Sequence, residues 1–264
     1  MKYIIKYLSL YIEYSKIIFA RGTEFKTDFV LGICINLIST LFTPLFQFLI
    51  YHNTRGYPGW TFDEIILFQS ILLFWNGIIL TLFGSIRYRI TPMIIYGHFE
   101  LFLLKPYPAL LLIFAGGFNY YSIGTILAGI ILSIYALIKL NLIIGFIQIL
   151  LFWTFFFIGI LFYLSIMIFF LCISFILIYI FNLFEIKDRL ISLAHFPAEI
   201  YSGLFKTIYL IFFPLAIWTY YPSQTFLGKL NIISIYACIS SILMFILSLI
   251  AWNFTIKKYT GAGG

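Results

Sequence analysis

The chain has 264 residues, of which 63% are hydrophobic and 9% are charged, and its mean hydropathy is +1.09. This composition excludes an ordinary soluble protein and predicts one integral membrane domain over residues 1–264. The formal net charge is +7, but in a membrane chain the placement of the basic residues reports orientation. We therefore expect contacts with membrane lipids and none with nucleic acid.

Residues 1–28 are predicted to form an amphipathic helix that lies in the membrane interface. Apolar residues such as Leu8 recur at helical spacing, opposite Lys6, Glu13 and Lys16. A solvated helix is the alternative interpretation. Because the segment lacks the compact apolar core and the small-residue cleavage site of a signal peptide, we expect it to be kept.

Six intervals without a charged residue follow. They are residues 29–51, 65–86, 106–138, 140–184, 207–228 and 230–256. Each is long enough to cross a bilayer. With the N-terminus in the cytoplasm, ten of the 16 lysine and arginine residues lie inside, as the positive-inside rule requires. The predicted fold is all-α and polytopic, with six transmembrane helices, an N-terminal interfacial helix, a re-entrant hairpin before the last helix, and both termini in the cytoplasm.

The interval 140–184 has two interpretations. A single helix over its 45 residues would be about 68 Å long, roughly twice the ~30 Å thickness of the hydrocarbon layer. Two spans that turn near residues 159–165 fit this length better and are preferred. One over-long, tilted helix is the alternative.

The two interpretations differ in the segment that follows. Two spans place residues 185–221 on the outer side, where Pro214 divides the apolar run 207–221 into halves that are too short to cross. The run would then enter as a broken hairpin that is sheltered by protein. One helix instead places Lys187 and Arg189 inside and makes the run part of a crossing. Both interpretations give six crossings.

The connection 87–108 carries helix signals of its own, whereas the loop 51–64 is expected to be only connective. Thr91 can cap a helix, Pro92 suits its first turn and Pro106 stops it. One interpretation is an interfacial helix that merely joins two spans. The other is an element that docks in a groove of a soluble partner. The candidate docking residues are Arg87, Arg89, Pro92, Gly97, His98, Glu100, Lys105 and Pro106.

Several chemistries are missing from the sequence. No Gly-x-x-x-x-Gly-Lys-Ser/Thr segment is present, so we expect the chain to bind no ATP by that route and no other cofactor. Cys34, Cys172 and Cys238 stand singly in apolar runs, and no histidine has a carboxylate at ligand spacing, so no metal site is expected. All nine acidic residues lie outside the centres of the crossings, which argues against an ion-coupled carrier and against an intramembrane hydrolase. No catalytic residue is therefore expected.

Four pieces of the sequence carry a family resemblance. They are Gly97-His-Phe-Glu-Leu-Phe-Leu-Leu-Lys-Pro, Phe196-Pro-Ala-Glu-Ile-Tyr, Phe213-Pro-Leu-Ala-Ile-Trp-Thr-Tyr-Tyr-Pro and the closing Tyr259-Thr-Gly-Ala-Gly-Gly. In this order they span the chain, and the layout resembles the ABC-2 type permeases, in particular the small six-span bacterial proteins whose ATPase is a separate chain. The sequence departs from the common Gly-x-Leu-Asp motif, because Phe99 and Glu100 stand in place of Leu-Asp.

The resemblance implies the permease half of an ATP-driven exporter in the bacterial cytoplasmic (inner) membrane, with ATP and Mg on a partner. Two permeases, identical or related, would face each other above a cytoplasmic ABC ATPase dimer. Residues 92–105 would be the coupling helix, residues 1–28 would also contact the ATPase, and residues 186–222 would form an outer gate. The gate residues are Pro197, Glu199, Pro214, Tyr220, Tyr221 and Pro222. A cavity lined by Phe, Tyr, Leu and Ile favours an amphipathic or lipid-like substrate.

Two other functions stay open. One is a membrane anchor or assembly protein that carries nothing, and the other is a self-sufficient channel or secondary carrier. A channel should show polar helix faces or charged rings along a pore, and the sequence shows neither. An ATPase that copurifies with the chain, and whose hydrolysis changes in its presence, separates the transporter from these two.

Overall fold

A computed structural model describes residues 2–176 and 183–258, apart from the side chains of residues 2–7 and 95. These residues form helices, turns and connections, without a strand, so the all-α prediction is confirmed for them. The α-helices are α1 Lys2–Glu24, α2 Lys26–Asn53, α3 Phe62–Phe83, α4 Ile86–Ile95, α5 Glu100–Leu103, α6 Ala109–Ala115, α7 Ile123–Lys139, α8 Phe146–Ile176, α9 Leu183–Ser192, α10 Gly203–Thr207, α11 Tyr220–Phe226 and α12 Ile233–Lys258. The closing segment 259–264, which contributed to the resemblance, lies outside the described residues.

Five helical stretches in this part of the chain are long and apolar enough to cross a membrane. They are Lys26–Asn53, Phe62–Ile94, Tyr120–Lys139, Phe146–Phe175 and Ile233–Lys258. The predicted intervals 29–51, 65–86, 140–184 and 230–256 each correspond to one of them. In the interval 106–138, only the second half belongs to a long helix.

The stretch that begins with α3 is the centre of the bundle. Within its most apolar window 72% of the residues are buried, whereas the share for α2 is 6%. The helix α7 runs antiparallel beside α3. Lys139 at the end of α7 pairs with Asp63 at the start of α3, at 2.9 Å between Nζ and Oδ1. At the opposite end, the N–H of Asn119 donates to the carbonyl of Thr81 at 2.8 Å.

Two glycines allow α3 and α7 to approach this closely. A Cβ atom on Gly129 would lie 2.4 Å from the backbone nitrogen of Phe74, and one on Gly77 would lie 2.6 Å from that of Ile126. Real Cβ atoms do not approach a backbone nitrogen so closely, and the backbone cannot move aside as a flexible side chain can. Small residues at such crossings are how helices pack closely in a membrane.

The bundle has two ends, which we name after Glu64 and Arg87. At the Glu64 end, Lys229 pairs with Glu64 at 2.6 Å between Nζ and Oε1. At the Arg87 end, Arg87 pairs with Asp188 at 3.3 Å between Nη1 and Oδ2. Because α3 and α4 follow each other almost without a break, one continuous stretch of chain connects the two ends.

The preferred two-span interpretation of 140–184 is wrong. α8 is one continuous helix through Gly159 and Ser165, where the turn was expected. Its 31 residues make it about 46 Å long, so it exceeds the ~30 Å hydrocarbon layer. No proline or charge interrupts α8, and the absence of a Cβ on Gly159 leaves room for the rings of Trp75 and Trp218, which pack against that point.

A broken segment leads from the Arg87 end back to the Glu64 end. It consists of α9 and two short 3-10 turns, Leu193–His195 and Ala198–Ile200. Arg87 contacts its start through Glu185 and Asp188, so the expectation that residues 185–221 all lie on the outer side is wrong. Lys187 and Arg189 share the Arg87 end, as the one-helix interpretation expected.

Side chains satisfy the carbonyls where this segment leaves helical geometry. Four successive carbonyls each accept a hydrogen bond: Leu193 from Tyr201 Oη at 2.6 Å, Ala194 from Thr219 Oγ1 at 3.0 Å, His195 from Gln69 Nε2 at 3.1 Å and Phe196 from Tyr209 Oη at 3.1 Å. Buried backbone groups without a partner would be costly in an apolar environment. The packed neighbours therefore stabilise this irregular backbone.

The next segment, residues 203–226, starts at the Glu64 end and returns to it, and we name it the returning segment. It passes through α10, a π-helical turn Ile208–Phe212, a 3-10 turn Leu215–Ile217 and α11. Its middle lies against the middle of α8 and the first third of α12, because Trp218 Nε1 donates to the carbonyl of Gly159 at 3.1 Å and Ser240 Oγ donates to that of Ile211 at 2.5 Å. Pro214 is buried at the turn. The one-helix interpretation is therefore wrong in making 207–221 part of a crossing.

The connection 87–108 also differs from the prediction. Its first helix, α4, begins at Ile86, before Thr91, and contains Pro92 in its interior. Gly97 has a φ of 71°, a left-handed conformation that favours glycine and ends the helix, and α5 follows only at Glu100. The single helix predicted over 92–105 is wrong. α4 continues the direction of α3 instead, since the N–H of Arg89 donates to the carbonyl of Ser85 at 3.2 Å.

The N-terminal helix α1 lies across the Arg87 end. Tyr11 Oη donates to the carbonyl of Leu82 at 3.0 Å, near the end of α3. Burial raises the pKa of Tyr11 to about 12, so the hydroxyl keeps the proton that this bond needs. The ring of Phe19 meets that of Tyr120 edge-on at 6.1 Å between centroids. α1 is thus attached to α3 and to the start of α7.

We expect Gly129→Ala to destabilise the protein, because its Cβ would force α3 and α7 apart. Overpacking of this kind costs about 1–3 kcal/mol, and we expect Gly77→Ala to act in the same way. The free energy of unfolding, measured by titration with sodium dodecyl sulfate, tests this. Gly145→Ala is the matched control, since its Cβ would meet Gln148 Oε1 at an ordinary 3.5 Å. Equal stability of the Gly129 variant and the control would contradict the close approach.

Candidate functional site

The candidate residues form two groups at opposite ends of the bundle. The Arg87 end holds the predicted docking residues, and the Glu64 end holds Glu199 and Tyr220 of the predicted gate. Pro214 lies between the two ends, at the turn of the returning segment. α3, which reaches both ends, fixes their relative position.

Arg87 is the centre of an ionic cluster that joins α4 to α9. Its guanidinium lies 3.3 Å from Asp188 Oδ2 and 3.7 Å from Glu185 Oε1, and it stands 5.9 Å from the ring centre of Phe184. Asp188 also pairs with Lys187 at 3.0 Å, and Lys187 is buried. Lys187 and Asp188 both belong to α9, so α4 is attached to α9 by the contacts of Arg87 with Glu185 and Asp188, whose side chains are 58% and 53% exposed.

The other docking residues do not form a cluster with Arg87. Arg89 turns toward α1, with its guanidinium 5.9 Å from the ring centre of Tyr14. Gly97 provides the turn between α4 and α5. Of the predicted docking residues, Pro92, His98, Glu100, Lys105 and Pro106 are exposed, and so are the large apolar side chains of Leu101, Leu103 and Leu104 beside them. Together they form an open surface beside α5 that is partly polar and partly apolar.

Two phenylalanines fix this exposed surface to the bundle. The rings of Phe99 and Phe102 stack at 5.9 Å between centroids, and both side chains are buried. Phe99 also packs on Phe175, at the end of α8, at 4.6 Å. The sequence alone predicts no role for these two rings. Their buried apolar area holds α5 in place while its charged residues face outward.

Glu199 connects three separate parts of the chain at the Glu64 end. Its Oε2 accepts a hydrogen bond from Trp60 Nε1 at 2.7 Å, and its Oε1 accepts one from Tyr220 Oη at 2.6 Å. Hydrogen bonds to an ionised acceptor are about twice as strong as neutral ones. The loop 51–64 is therefore more than connective, since its Trp60 is buried and contacts both the broken segment and α11.

Glu64 forms a second connection at this end. Its Oε2 accepts from the N–H of Thr61, and the Thr61 hydroxyl accepts from the N–H of Glu64, which makes a capping box at the start of α3. Its Oε1 contacts Lys229 Nζ at 2.6 Å. The loop before α12 is thereby attached to α3.

A third contact orders the loop 51–64. The hydroxyl of Tyr57 donates to Gln47 Oε1 in α2, and burial raises the pKa of this tyrosine, which keeps the donor proton in place. Tyr57 and Trp60 pack with Phe68 in one small apolar cluster. The loop is thus attached to α2 as well as to α3.

The remaining gate residues are buried inside the broken segment and the returning segment. Pro197, Pro214, Tyr221 and Pro222 are all buried. The hydroxyl of Tyr221 donates to the carbonyl of Leu210 at 3.1 Å, across the two arms of this segment. These residues shape the segment, whereas Glu199 and Tyr220 attach it to its neighbours. In the described ranges, no group of three or more His, Cys, Asp or Glu residues is arranged to hold a metal ion.

A comparison with protein-family models matches most of the chain. The model described as ABC-2 family transporter protein covers residues 37–263, from the middle of α2 to the end of the chain. The chain belongs to the ABC-2 family. The resemblance stated from the sequence is thereby confirmed. No curated protein and no solved structure matches the chain significantly.

Family membership and the apolar helices together make this ABC-2 protein an integral membrane protein and a permease subunit of an ABC transporter. Such a subunit is the membrane part of a transporter and is not itself catalytic. Both groups of candidate residues lie inside the matched range.

We expect Glu199→Ala to destabilise the Glu64 end of this ABC-2 protein by about 1–3 kcal/mol, because two buried donors lose their acceptor. Trp60→Phe and Tyr220→Phe should each cost about 1 kcal/mol in the native chain and almost nothing when Glu199 is already alanine. Detergent-titrated unfolding of the single and double variants measures this coupling.

Glu13→Ala is the control for this cycle. Glu13 pairs only with Lys16 on the exposed face of α1, and exposed pairs contribute about 0–1 kcal/mol. If the costs of Trp60→Phe and Tyr220→Phe are the same with and without Glu199, the carboxylate does not link them and the interpretation fails.

Proposed function

We propose that this chain is the permease subunit of an ATP-driven exporter, with the Arg87 end in the cytoplasm. A separate cytoplasmic ABC ATPase dimer binds there and supplies ATP and Mg. A second permease, the same chain or a related one, completes the transporter in a bacterial inner membrane. The observation that carries this proposal is the family match over residues 37–263, together with an exposed surface at one end that two buried phenylalanines attach to the bundle.

The docking surface is the exposed face around α5. His98, Glu100 and Lys105 are exposed there, and the stacked Phe99 and Phe102 beneath them resist displacement. A partner that pushes on a firmly attached surface moves the helices behind it, whereas a loose loop would absorb the push. This supports a coupling role for 98–105, and α1 extends the cytoplasmic surface beside it.

The Arg87 cluster supplies a route from this surface to the opposite end. Arg87 follows α3 and holds α9 through Glu185 and Asp188. α9 leads into the broken segment, whose end carries Glu199, and Glu199 holds Trp60 and Tyr220. A displacement of α9 is therefore transmitted to the contacts of the returning segment without passing through a flexible loop.

In this proposal the broken segment adds a sixth crossing to the five long helices and lies between α8 and α12 in the chain. The returning segment 203–226 is a re-entrant outer gate. The four satisfied carbonyls at 193–196 support the first assignment, because irregular backbone is tolerated at membrane depth only where protein shelters it. With six crossings both termini are cytoplasmic, α1 lies in the interface, and residues 1–264 form one transmembrane domain.

The substrate class that fits is amphipathic or lipid-like. Large apolar and aromatic side chains dominate the described surfaces of the long helices, and acidic residues are confined to their ends. Ions and sugars would need polar groups along the route, since each unpartnered polar contact is costly in an apolar environment.

We expect Glu100→Lys to lower the stimulation of the partner ATPase, because it reverses the one acidic charge on the docking surface. A decrease of about tenfold in the apparent affinity for the ATPase corresponds to the loss of one charge-assisted contact at an interface. The measurement is ATP hydrolysis by the copurified complex in nanodiscs. Arg55→Glu, a charge reversal in the exposed loop 51–64 at the opposite end, is the control, and an equal effect of the two would place docking elsewhere.

Arg87→Ala should act differently from Glu100→Lys. Because Arg87 faces α9 and not the partner, we expect the complex to assemble with unchanged affinity while substrate no longer stimulates its ATP hydrolysis. Copurification and stimulated hydrolysis are measured on the same preparation. Loss of assembly in this variant would contradict the assigned internal role.

Topology is tested with single cysteines in a variant without Cys34, Cys172 and Cys238. The sixth crossing predicts that Arg189→Cys and Ser202→Cys, both exposed and only 13 positions apart, label from opposite sides. A membrane-impermeant maleimide should label Ser202→Cys in intact cells and Arg189→Cys only after permeabilisation.

Two reference sites calibrate the labelling. Arg55→Cys in the loop 51–64 should behave as Ser202→Cys does, and Glu100→Cys should behave as Arg189→Cys does. Labelling of Arg189→Cys and Ser202→Cys from one side would exclude the sixth crossing while leaving the family assignment intact.

A further inference from the structure

A cavity of 750 Å³ lies at the Arg87 end, between α1, α4 and the segment that precedes α7. It is separate from the docking surface around α5 and from both contacts at the Glu64 end. Two arginines, Arg21 and Arg89, line it together with the rings of Tyr14 and Tyr120. The apolar side chain of Ile17 completes one wall.

Arg89 is held in the cavity without an anionic partner. Its guanidinium lies directly on Gly116, where a Cβ would come within 1.6 Å of Nη1, and it stands over the ring of Tyr14. Among the described residues the guanidinium has neither a hydrogen bond nor an ion pair, although the side chain is only partly exposed. A guanidinium carries five N–H donors, and donors removed from bulk water favour a bound acceptor.

The charged residues that line the cavity have one sign. Arg21 contributes a second guanidinium, and it too has no carboxylate partner in the described part of the chain. None of the residues that line the cavity is acidic. Asp28 acts on the hydroxyl of Tyr120 from outside the lining. Arg87, two positions before Arg89, contrasts with it, because two carboxylates already neutralise that guanidinium.

The surroundings of the cavity combine a polar and an apolar wall. Tyr11 attaches α1 to the last turn of α3, so the cavity lies where the apolar stretch of α3 ends. Ile17 is 51% exposed beside it and offers a surface to a hydrocarbon chain. Tyrosine rings at such a boundary are typical of the headgroup layer.

We propose that this cavity binds a phosphate group, and that the source of the phosphate is the headgroup of an anionic membrane lipid. Arg89 and Arg21 donate to the phosphate oxygens, and the first carbons of the acyl chains lie against Ile17. Arginine suits this ligand because its planar donors match two oxygens at once. Basic pockets beside transmembrane helices on the cytoplasmic side bind lipid headgroups by the same chemistry. The inference goes beyond transport and does not depend on coupling to an ATPase.

The experiment measures lipid retention by the full-length chain. The delipidated protein in detergent receives phosphatidylglycerol, and native mass spectrometry measures the bound fraction. We expect Arg89→Gln and Arg21→Gln each to weaken retention about fivefold, and the double variant more than either. Arg55→Gln, in the loop 51–64 at the opposite end, is the control that removes the same charge. Retention by the double variant equal to that of the native chain or of Arg55→Gln would overturn the proposal.

A second variant moves the guanidinium without removing its charge. Gly116→Ala places a Cβ where Arg89 Nη1 now lies, so we expect it to weaken retention, whereas Gly145→Ala should not. Arg89→Lys should retain more lipid than Arg89→Gln, because the charge survives and the paired donors do not. The unfolding midpoint of each variant identifies those that fold. Equal retention by the folded Gly116→Ala and Gly145→Ala variants would overturn the assigned position of Arg89.

Two further arms identify the source of the phosphate. Phosphatidylglycerol retained in the presence of millimolar inorganic phosphate or glycerol phosphate supports a lipid headgroup. Displacement by either soluble phosphate would overturn the lipid source. Phosphatidylcholine, whose phosphate carries a compensating ammonium, should be retained less well than phosphatidylglycerol, and equal retention of the two would overturn recognition of net negative charge.

Discussion

The close approach of α3 and α7 is the constraint on which the rest of the structure depends. Gly77 and Gly129 let two backbones touch where any larger residue would separate them. Because α3 is thereby fixed along its length, the groups at its two ends are fixed as well. Glu64 with its loop stands at one end and Arg87 at the other. In a membrane, where no hydrophobic force drives helices together, such close packing is a principal source of helix association.

The irregular chain between α8 and α12 is stable only because its neighbours are regular. Its carbonyls at 193–196 accept hydrogen bonds from side chains of α3, of the returning segment and of the turn before α11. Trp218 in turn reaches the carbonyl of Gly159 in α8. An unsatisfied buried carbonyl would cost several kcal/mol, roughly as much as a small domain can spare. The broken segment and the bundle must therefore fold together.

Composition and charge-free runs predicted the class of fold and most long helices, because apolar length can be read directly from the sequence. The family was predicted from short pieces of sequence that resemble it. Length alone misjudged α8, since it cannot show that a helix projects beyond the hydrocarbon layer. Pro92 was interpreted as a helix start, although α4 continues from α3 and contains it. The contact between Trp60 and Glu199 joins residues 139 positions apart, and no periodic pattern reports such a pairing. Buried Phe99 was overlooked because an aromatic ring in an apolar chain carries no distinguishing signal.

The two oxygens of Glu64 have separate partners. Oε2 holds the first turn of α3 through Thr61, while Oε1 holds Lys229. Breaking the second contact leaves the first in place, so the loop before α12 can detach and re-attach while the helix end stays wound. Reversible motion at this point needs no refolding, and α3 would keep its helical structure through repeated opening and closing.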